Sequence, residues 1–157
     1  MAKTELNVAA LQLQSQADVA QNLEGARELV RRAARRGAEL VLLPENFAFF
    51  GAEAEKRGVA EPLATGPIAA ALADMARESS VYLVGGGFPE QSGDPERPHN
   101  TALVVDPDGK QLGAYRKIHL FDVELGAGGS YSESAATRAG SAPVVVDVAG
   151  FKLGLSI

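Results

Sequence analysis

An α/β fold with a mixed sheet is what this sequence predicts, on three observations. Apolar residues recur with period two, or in short unbroken runs, at five places before Lys117. Helical stripes fall between the first three of those runs, and a strong turn signal joins the last two. Strand, helix, strand, helix, strand requires right-handed crossovers and parallel pairing, and the later hairpin signals add antiparallel strands.

The first strand is Leu6 to Leu13, which alternates. Asp18 is placed to cap a helix running to Arg36, with Leu23, Ala26, Val30 and Ala33 on one face and Gly37 as its stop. "ELVLLPE", Glu39 to Glu45, is a continuous apolar run of the kind buried on both faces of a sheet. Thr65-Gly66-Pro67 opens a second helix, whose first turn tolerates proline and whose stripe is Ile68, Ala71, Leu72 and Met75. "VYLVGGGFPE" is the next strand. After the loop containing "SGDPERP", the stretch "NTALVVDPDGKQLGAYRK" holds two strands joined at Asp106-Pro107-Asp108-Gly109. Residues 122–142, rich in Gly and Ser, read as one long irregular stretch, and such loops often carry function. Val144, Val146 and Val148 alternate, and Phe151, Leu153, Leu155 and Ile157 repeat the pattern beyond a turn at Ala149-Gly150, giving a hairpin with one buried face. No repeat or domain boundary is visible, so residues 1–157 read as parts of one domain.

Composition narrows the function classes. The chain is 46% hydrophobic and 22% charged, with a net charge of −5, which argues against nucleic acid or an anionic membrane as its main partner. The basic cluster Arg31 to Gly37 lies late in the first predicted helix, where cations suit the negative end of the dipole. No apolar leader precedes a cleavage site and no run approaches a membrane span, so a cytoplasmic location is the expectation. Cysteine is absent and there are two histidines, a set that supports neither a disulfide framework nor a structural zinc site.

Three residues invite chemistry. Glu45 stands at the carboxyl end of a buried strand, where open α/β sheets place their sites, beside the aromatic "NFAFF". It reads as a proton acceptor or as a loop carboxylate. Lys117 closes a strand before "IHLFD" and reads as an oxyanion partner or as a solvated edge lysine. Glu133 lies in "YSESAATRAG", in the irregular stretch, where an acidic residue is usually just exposed. His119 has no Asp or Ser partner at informative spacing, so a hydrolytic triad is not supported. "VGGGFP" is followed by no Lys-Ser/Thr and opens no helix, so it does not read as a phosphate cradle.

Taken together, "LVLLPENFAFFG", "YLVGGGFPE", "HNTALVVDPDGKQLGAYRKIHLFDVEL" and "YSESAATRAG" resemble, in order along the chain, the nitrilase superfamily of carbon–nitrogen hydrolases. "PENFAFFG" and "KIHLFDVEL" look most like its deaminated glutathione amidase branch, with ω-amidases and carbamoyl amidases near. The resemblance implies an αββα sandwich that pairs sheet to sheet in dimers. It also implies hydrolysis of a small carboxylated amide through a cysteine acyl-enzyme, with no cofactor or metal. By the same resemblance Glu45 is the general base, Lys117 stabilises the tetrahedral intermediate, and Glu133 holds the lysine. If so, the three side-chain ends must converge to within roughly 8 Å, the reach of a direct or single-water contact. Ala139 departs from the family's usual proline, which is expected to loosen the loop after Glu133. In the family the nucleophilic cysteine follows "G-x-x-I", and this chain stops at Ile157. The expectation is therefore an incomplete, amino-terminal part of the domain, inactive by itself and with apolar surface open near Val144 to Ile157. The alternative is a non-catalytic half-domain that binds a partner or small ligand.

Overall fold

The structure is a computed structural model and describes residues 3–126 and 129–157. Helix α1 (Val19–Arg35) begins where the Asp18 side chain accepts from the Gln21 amide at 3.0 Å, satisfying a donor that the first turn leaves free. It buries Asn22, Ala26, Val30 and Ala33 and stops at Gly37, whose φ of +86° is the left-handed cap that glycine favours. A single 3-10 turn, Glu53–Glu55, runs into a four-residue helix α2 (Lys56–Val59). The long second helix is α3 (Pro67–Ser79), burying Ile68, Ala69, Leu72, Met75 and Ala76. Its start carries no side-chain cap of its own. The buried carboxylate of Glu61 serves instead, accepting from the Ile68 and Ala69 amides at 2.8 Å each.

Five strands make one sheet: β1 (Val8–Ala10), β2 (Leu40–Leu42), β3 (Tyr82–Glu90), β4 (His99–Val105) and β5 (Gln111–Arg116), side by side in that order. β1, β2 and β3 pair in parallel, then β4 and β5 antiparallel, as the strand–helix order requires. The alternation sorts side chains to two faces. Val41, Leu83, Leu103 and Val105 meet the stripes of α1 and α3. Leu40, Val84 and Val104 face the other way and are covered by Val146 and Val148. These last belong to β8 (Val144–Val148), which pairs antiparallel with β9 (Phe151–Leu155) through a turn with positive φ at Ala149 and Gly150. Three layers result: helices, five-stranded sheet, hairpin.

Several expectations are corrected. The ladders of β1 and β2 are shorter than their apolar runs, because β1 has a single neighbour and Pro44 has no N–H to offer. Residues 122–142 are not wholly irregular: β6 (Asp122–Glu124) pairs with β7 (Ser130–Ser132), and a 3-10 turn, Glu133–Ala135, comes next. Their polar sequence gives no period to read. The Asp122 carboxylate, accepting from the Ser134 amide at 3.0 Å and the Ser132 hydroxyl at 3.1 Å, ties the segment together. The apolar surface expected to be open near the last hairpin is open only in part: on the inner face Val146 and Val148 are buried and Val144, Phe151, Leu153 and Leu155 half-buried, while on the outer face Val145 is 63% exposed.

The run Gly85-Gly86-Gly87 makes a bulge in β3, where the register against β4 slips by one residue. A Cβ on Gly86 would lie 2.2 Å from the Pro44 carbonyl oxygen. Backbone meets backbone there, so Gly86→Ala is expected to cost about 1–3 kcal/mol of stability, the usual range for overpacking. A melting curve identical to that of the unsubstituted chain would contradict that contact.

Candidate active site

The bulge sets the site. Leu43 donates its amide to Val84 at 2.9 Å, and Asn46, at φ +60°, donates to Gly87 at 2.8 Å. Between those two fixed points the chain turns and presents Glu45 at the carboxyl end of β2. Lys117, the residue after β5, is held by its backbone on both sides: its N–H donates to Asn100 at 2.8 Å and its carbonyl accepts from Gly140 at 2.8 Å. Glu133 is buried and locked reciprocally to Phe121, whose amide donates to Glu133 Oε2 at 2.7 Å while the Glu133 amide donates to the Phe121 carbonyl at 3.2 Å.

These three segments bring the candidate residues together. Lys117 Nζ lies 3.1 Å from Glu45 Oε1 and 3.0 and 3.2 Å from the two oxygens of Glu133. The lysine side chain is 12% exposed and that of Glu133 5%, whereas that of Glu45 is 40% exposed, so Glu45 is the member that faces solvent. Burial opposes the charge on Lys117, but its hydrogen bonds to Glu133 and Glu45 outweigh that and hold its pKa above the usual lysine value. Burial likewise opposes the charge on Glu133, and the Phe121 amide and the Lys117 ammonium outweigh it, placing its pKa below the ordinary glutamate value. A fixed ammonium between two carboxylates can steady a negative charge that develops beside it.

Asn100 was not legible in the sequence. Its Nδ2 donates to Glu45 Oε1 at 2.6 Å, so that oxygen takes both Asn100 and Lys117 and leaves Oε2 free of either. The glycine run is what admits it: a Cβ on Gly87 would fall 1.9 Å from Asn100 Oδ1. A second group lies at the rim. Tyr131 donates its hydroxyl to Glu53 Oε1 at 3.0 Å, and Lys56, buried, reaches Glu53 Oε2 at 2.8 Å. Burial, and then the bond to Glu53, raise the Tyr131 pKa. The Tyr131 ring sits 5.8 Å from that of Phe121. On the other side of Glu45 a cleft of about 480 Å³ is lined by Leu13, Gln14, Pro44 and Phe50 among others. A cleft of that size accommodates a small molecule.

The remaining candidates are placed elsewhere. His119 is exposed. Arg31 pairs with Glu78 at 3.0 Å and Arg35 with Glu28 at 3.2 Å, an ion-paired outer face of α1. On either side of Ala139, Arg138 donates its amide to the Pro98 carbonyl at 3.0 Å and Gly140 donates to Lys117 at 2.8 Å. Among the described residues no helix is long and apolar enough to cross a membrane.

A three-layered α/β fold with a Glu–Lys–Glu cluster beyond the carboxyl ends of β2 and β5 defines a class, and comparison gives that class its name. Residues 7–157 match the carbon–nitrogen hydrolase family, and the chain belongs to it, the nitrilase superfamily. It is 44% identical over 152 residues to the deaminated glutathione amidase of Synechocystis sp., covering 95% of this chain and 56% of that protein. It is 34% identical to the human omega-amidase NIT2, covering 98% of this chain and 55% of that one. Among solved structures, the C. elegans NitFhit protein superposes with a TM-score of 0.88 at 32% identity, over 99% of this chain and 38% of that chain. A mutant of the amidase from Nesterenkonia sp., with acrylamide added to its active-site cysteine, superposes with a TM-score of 0.81 at 27% identity over 97% of this chain and 57% of that one. The fold is thus nitrilase-like. The chain spans about half the length of the curated relatives it matches.

Proposed function

We propose that these residues are the amino-terminal part of an amidase domain, an αββα sandwich whose remaining layer lies outside them. In this reading the domain hydrolyses the C–N bond of a small carboxylated amide in the cytoplasm, as a homo-oligomer, without cofactor or metal and without a nucleic-acid or membrane partner. The observation that carries the reading is Lys117 held within 3.2 Å of both Glu45 and Glu133 beside an open cleft.

The chemistry is set by those positions. Glu45 takes the proton of a cysteine thiol through its free Oε2. The thiolate sulfur bonds to the amide carbon and pushes an electron pair onto the carbonyl oxygen. Lys117 Nζ meets that charge, and Glu133 keeps the ammonium protonated and aimed. Collapse of the intermediate expels the amine, which leaves with the proton held by Glu45. Glu45 then draws a proton from water as the water attacks the thioester, and returns it to the departing sulfur, so that the acid and the thiol are freed and Glu45 is again a carboxylate. The 157 residues contain no cysteine, so the nucleophile is supplied from outside them and the chain alone is proposed to be inactive. The same absence favours one other reading, a non-catalytic module that binds a small ligand or a partner.

The two are separated by assaying amine or ammonia release from deaminated glutathione and other small carboxylated amides. The 157-residue chain is compared with the same chain continued by the carboxyl-terminal half of the Synechocystis relative. No release by the first, and release by the second that iodoacetamide abolishes, are expected. Turnover by the chain alone would remove the need for a cysteine supplied from outside it, and a folded but inactive continuation would sink the amidase reading.

A further inference from the structure

Two buried oxygens near the site, Asn100 Oδ1 and Thr137 Oγ1, have no hydrogen-bond partner among the described residues. Both residues line one small chamber of about 10 Å³, together with Lys56, Pro89 and Pro98. A buried oxygen without a partner forfeits the hydrogen bond it had with water in the unfolded chain, and two of them on residues that line one chamber invite a group that joins them. A volume of about 10–15 Å³ reached by a water-sized sphere is what one water molecule needs, with two to four polar partners.

The orientation of the Asn100 amide points the same way. Its nitrogen must face Glu45, because an amide oxygen at 2.6 Å from Glu45 Oε1 would set lone pairs against a carboxylate. Its oxygen is therefore the end turned away from Glu45, beside Gly87, and it is left to meet a water in the chamber that Asn100 and Thr137 both line. The Thr137 hydroxyl can donate to a water, and the water can donate to Asn100 Oδ1. The relay then runs Thr137, water, Asn100, Glu45, and each link is a donor meeting an acceptor.

We propose that this chamber binds one water molecule bridging Thr137 Oγ1 and Asn100 Oδ1, and that Asn100, fixed in this way, is a positioning residue for Glu45. The water site stands on the geometry alone; its use in catalysis rests on the amidase reading. By holding Oε1, the bridged Asn100 keeps Oε2 as the oxygen that faces the cleft. The Thr137 side chain, itself remote from the reacting atoms, thereby acts on the base through the water and the Asn100 amide.

Crystal structures of the chain and of its Thr137→Val and Thr137→Ser variants, at a resolution that places water, test the site. One water within about 3.2 Å of both oxygens is expected in the unsubstituted chain. Thr137→Val, equal in shape, is expected to lose it and to release the Asn100 amide from Glu45, and Thr137→Ser to restore both. A chamber without the water, or an unchanged Asn100–Glu45 bond in Thr137→Val, would overturn the proposal. In the continued protein, Thr137→Val is expected to lower kcat about tenfold at unchanged KM, since small misplacements of a reacting group cost up to about a hundredfold. Thr137→Ser is expected to recover it. An unsubstituted continuation without turnover would count against the amidase reading and not against the water, which the crystal structures decide by themselves.

Discussion

Glu45→Gln in the continued, cysteine-bearing protein is expected to lower turnover by about 10²–10⁴-fold, the span that general base catalysis supplies, while KM changes little. The geometry explains why shape survives when function does not. Glu45 Oε1 accepts from Asn100 at 2.6 Å and from Lys117 at 3.1 Å, and a glutamine can offer its amide oxygen to those two donors. Its NH₂ then occupies the place of Oε2 and has no lone pair with which to take a thiol proton. Binding contacts in the cleft remain, so the loss falls on kcat. The check is steady-state kinetics beside a melting curve. Near-native turnover in a normally melting Glu45→Gln protein would remove Glu45 from the role of base.

Lys117→Met is expected to cost the chain about 3 kcal/mol of stability near neutral pH, the lower end of the range for a buried ion pair that loses one partner. The lower end applies because Glu45 is 40% exposed and water can replace the lysine there. Glu133 has no such relief: its side chain is 5% exposed, and without Lys117 its carboxylate keeps, among the described residues, the Phe121 amide as its only hydrogen-bond donor. The direction with pH is set by the carboxylate. In the unsubstituted chain the Glu133 pKa is lowered, so its stabilisation is present above the unfolded glutamate value and is lost as pH falls through the folded one. Without the ammonium that carboxyl becomes easier to protonate, so acid removes the unpaired charge and the two proteins converge in stability. Denaturant titrations at a series of pH values measure the gap. A deficit of equal size at acid and neutral pH would mean that lost packing, not lost charge, is responsible.

The parts of this fold that could be read ahead of the structure are those set by local pattern. Asp18 and Gly37 bound α1 because capping acts within a turn of the helix end. The parallel-then-antiparallel sheet is dictated by which connections carry helices. What escaped reading depends on contacts between distant segments. Glu61 caps α3 from well before the helix, outside the spacing of a local capping box. The turn Glu53–Val59 is too short to show a period, yet it carries Lys56 and Glu53 to the rim. At the site, Glu45 is conspicuous because an acidic residue directly follows an apolar run and Lys117 because it closes a strand, while Glu133 stands out through motif alone. Asn100 carries no such mark. Its position depends on a bulge opposite it and on the missing side chain of Gly87, and neither can be inferred until the strands are in register.

The strands of the main sheet lie side by side in the order in which the chain runs, β1 to β5. During synthesis from the amino end each new strand therefore meets an edge that already exists, and no earlier strand has to be displaced to admit it. Glu45 and Lys117 are separated by 72 positions, which at about 5–20 residues per second is roughly 4–14 s of translation. Through that interval Leu40, Val41, Leu83 and Val84 are available to dock on one another, whereas Glu45 waits for both of its partners, Asn100 and Lys117. The charged cluster is thus fastened onto an edge that apolar residues have already assembled, and the nascent chain acquires its helices and its three parallel strands first, the cluster next and the covering hairpin, Val144 to Leu155, last.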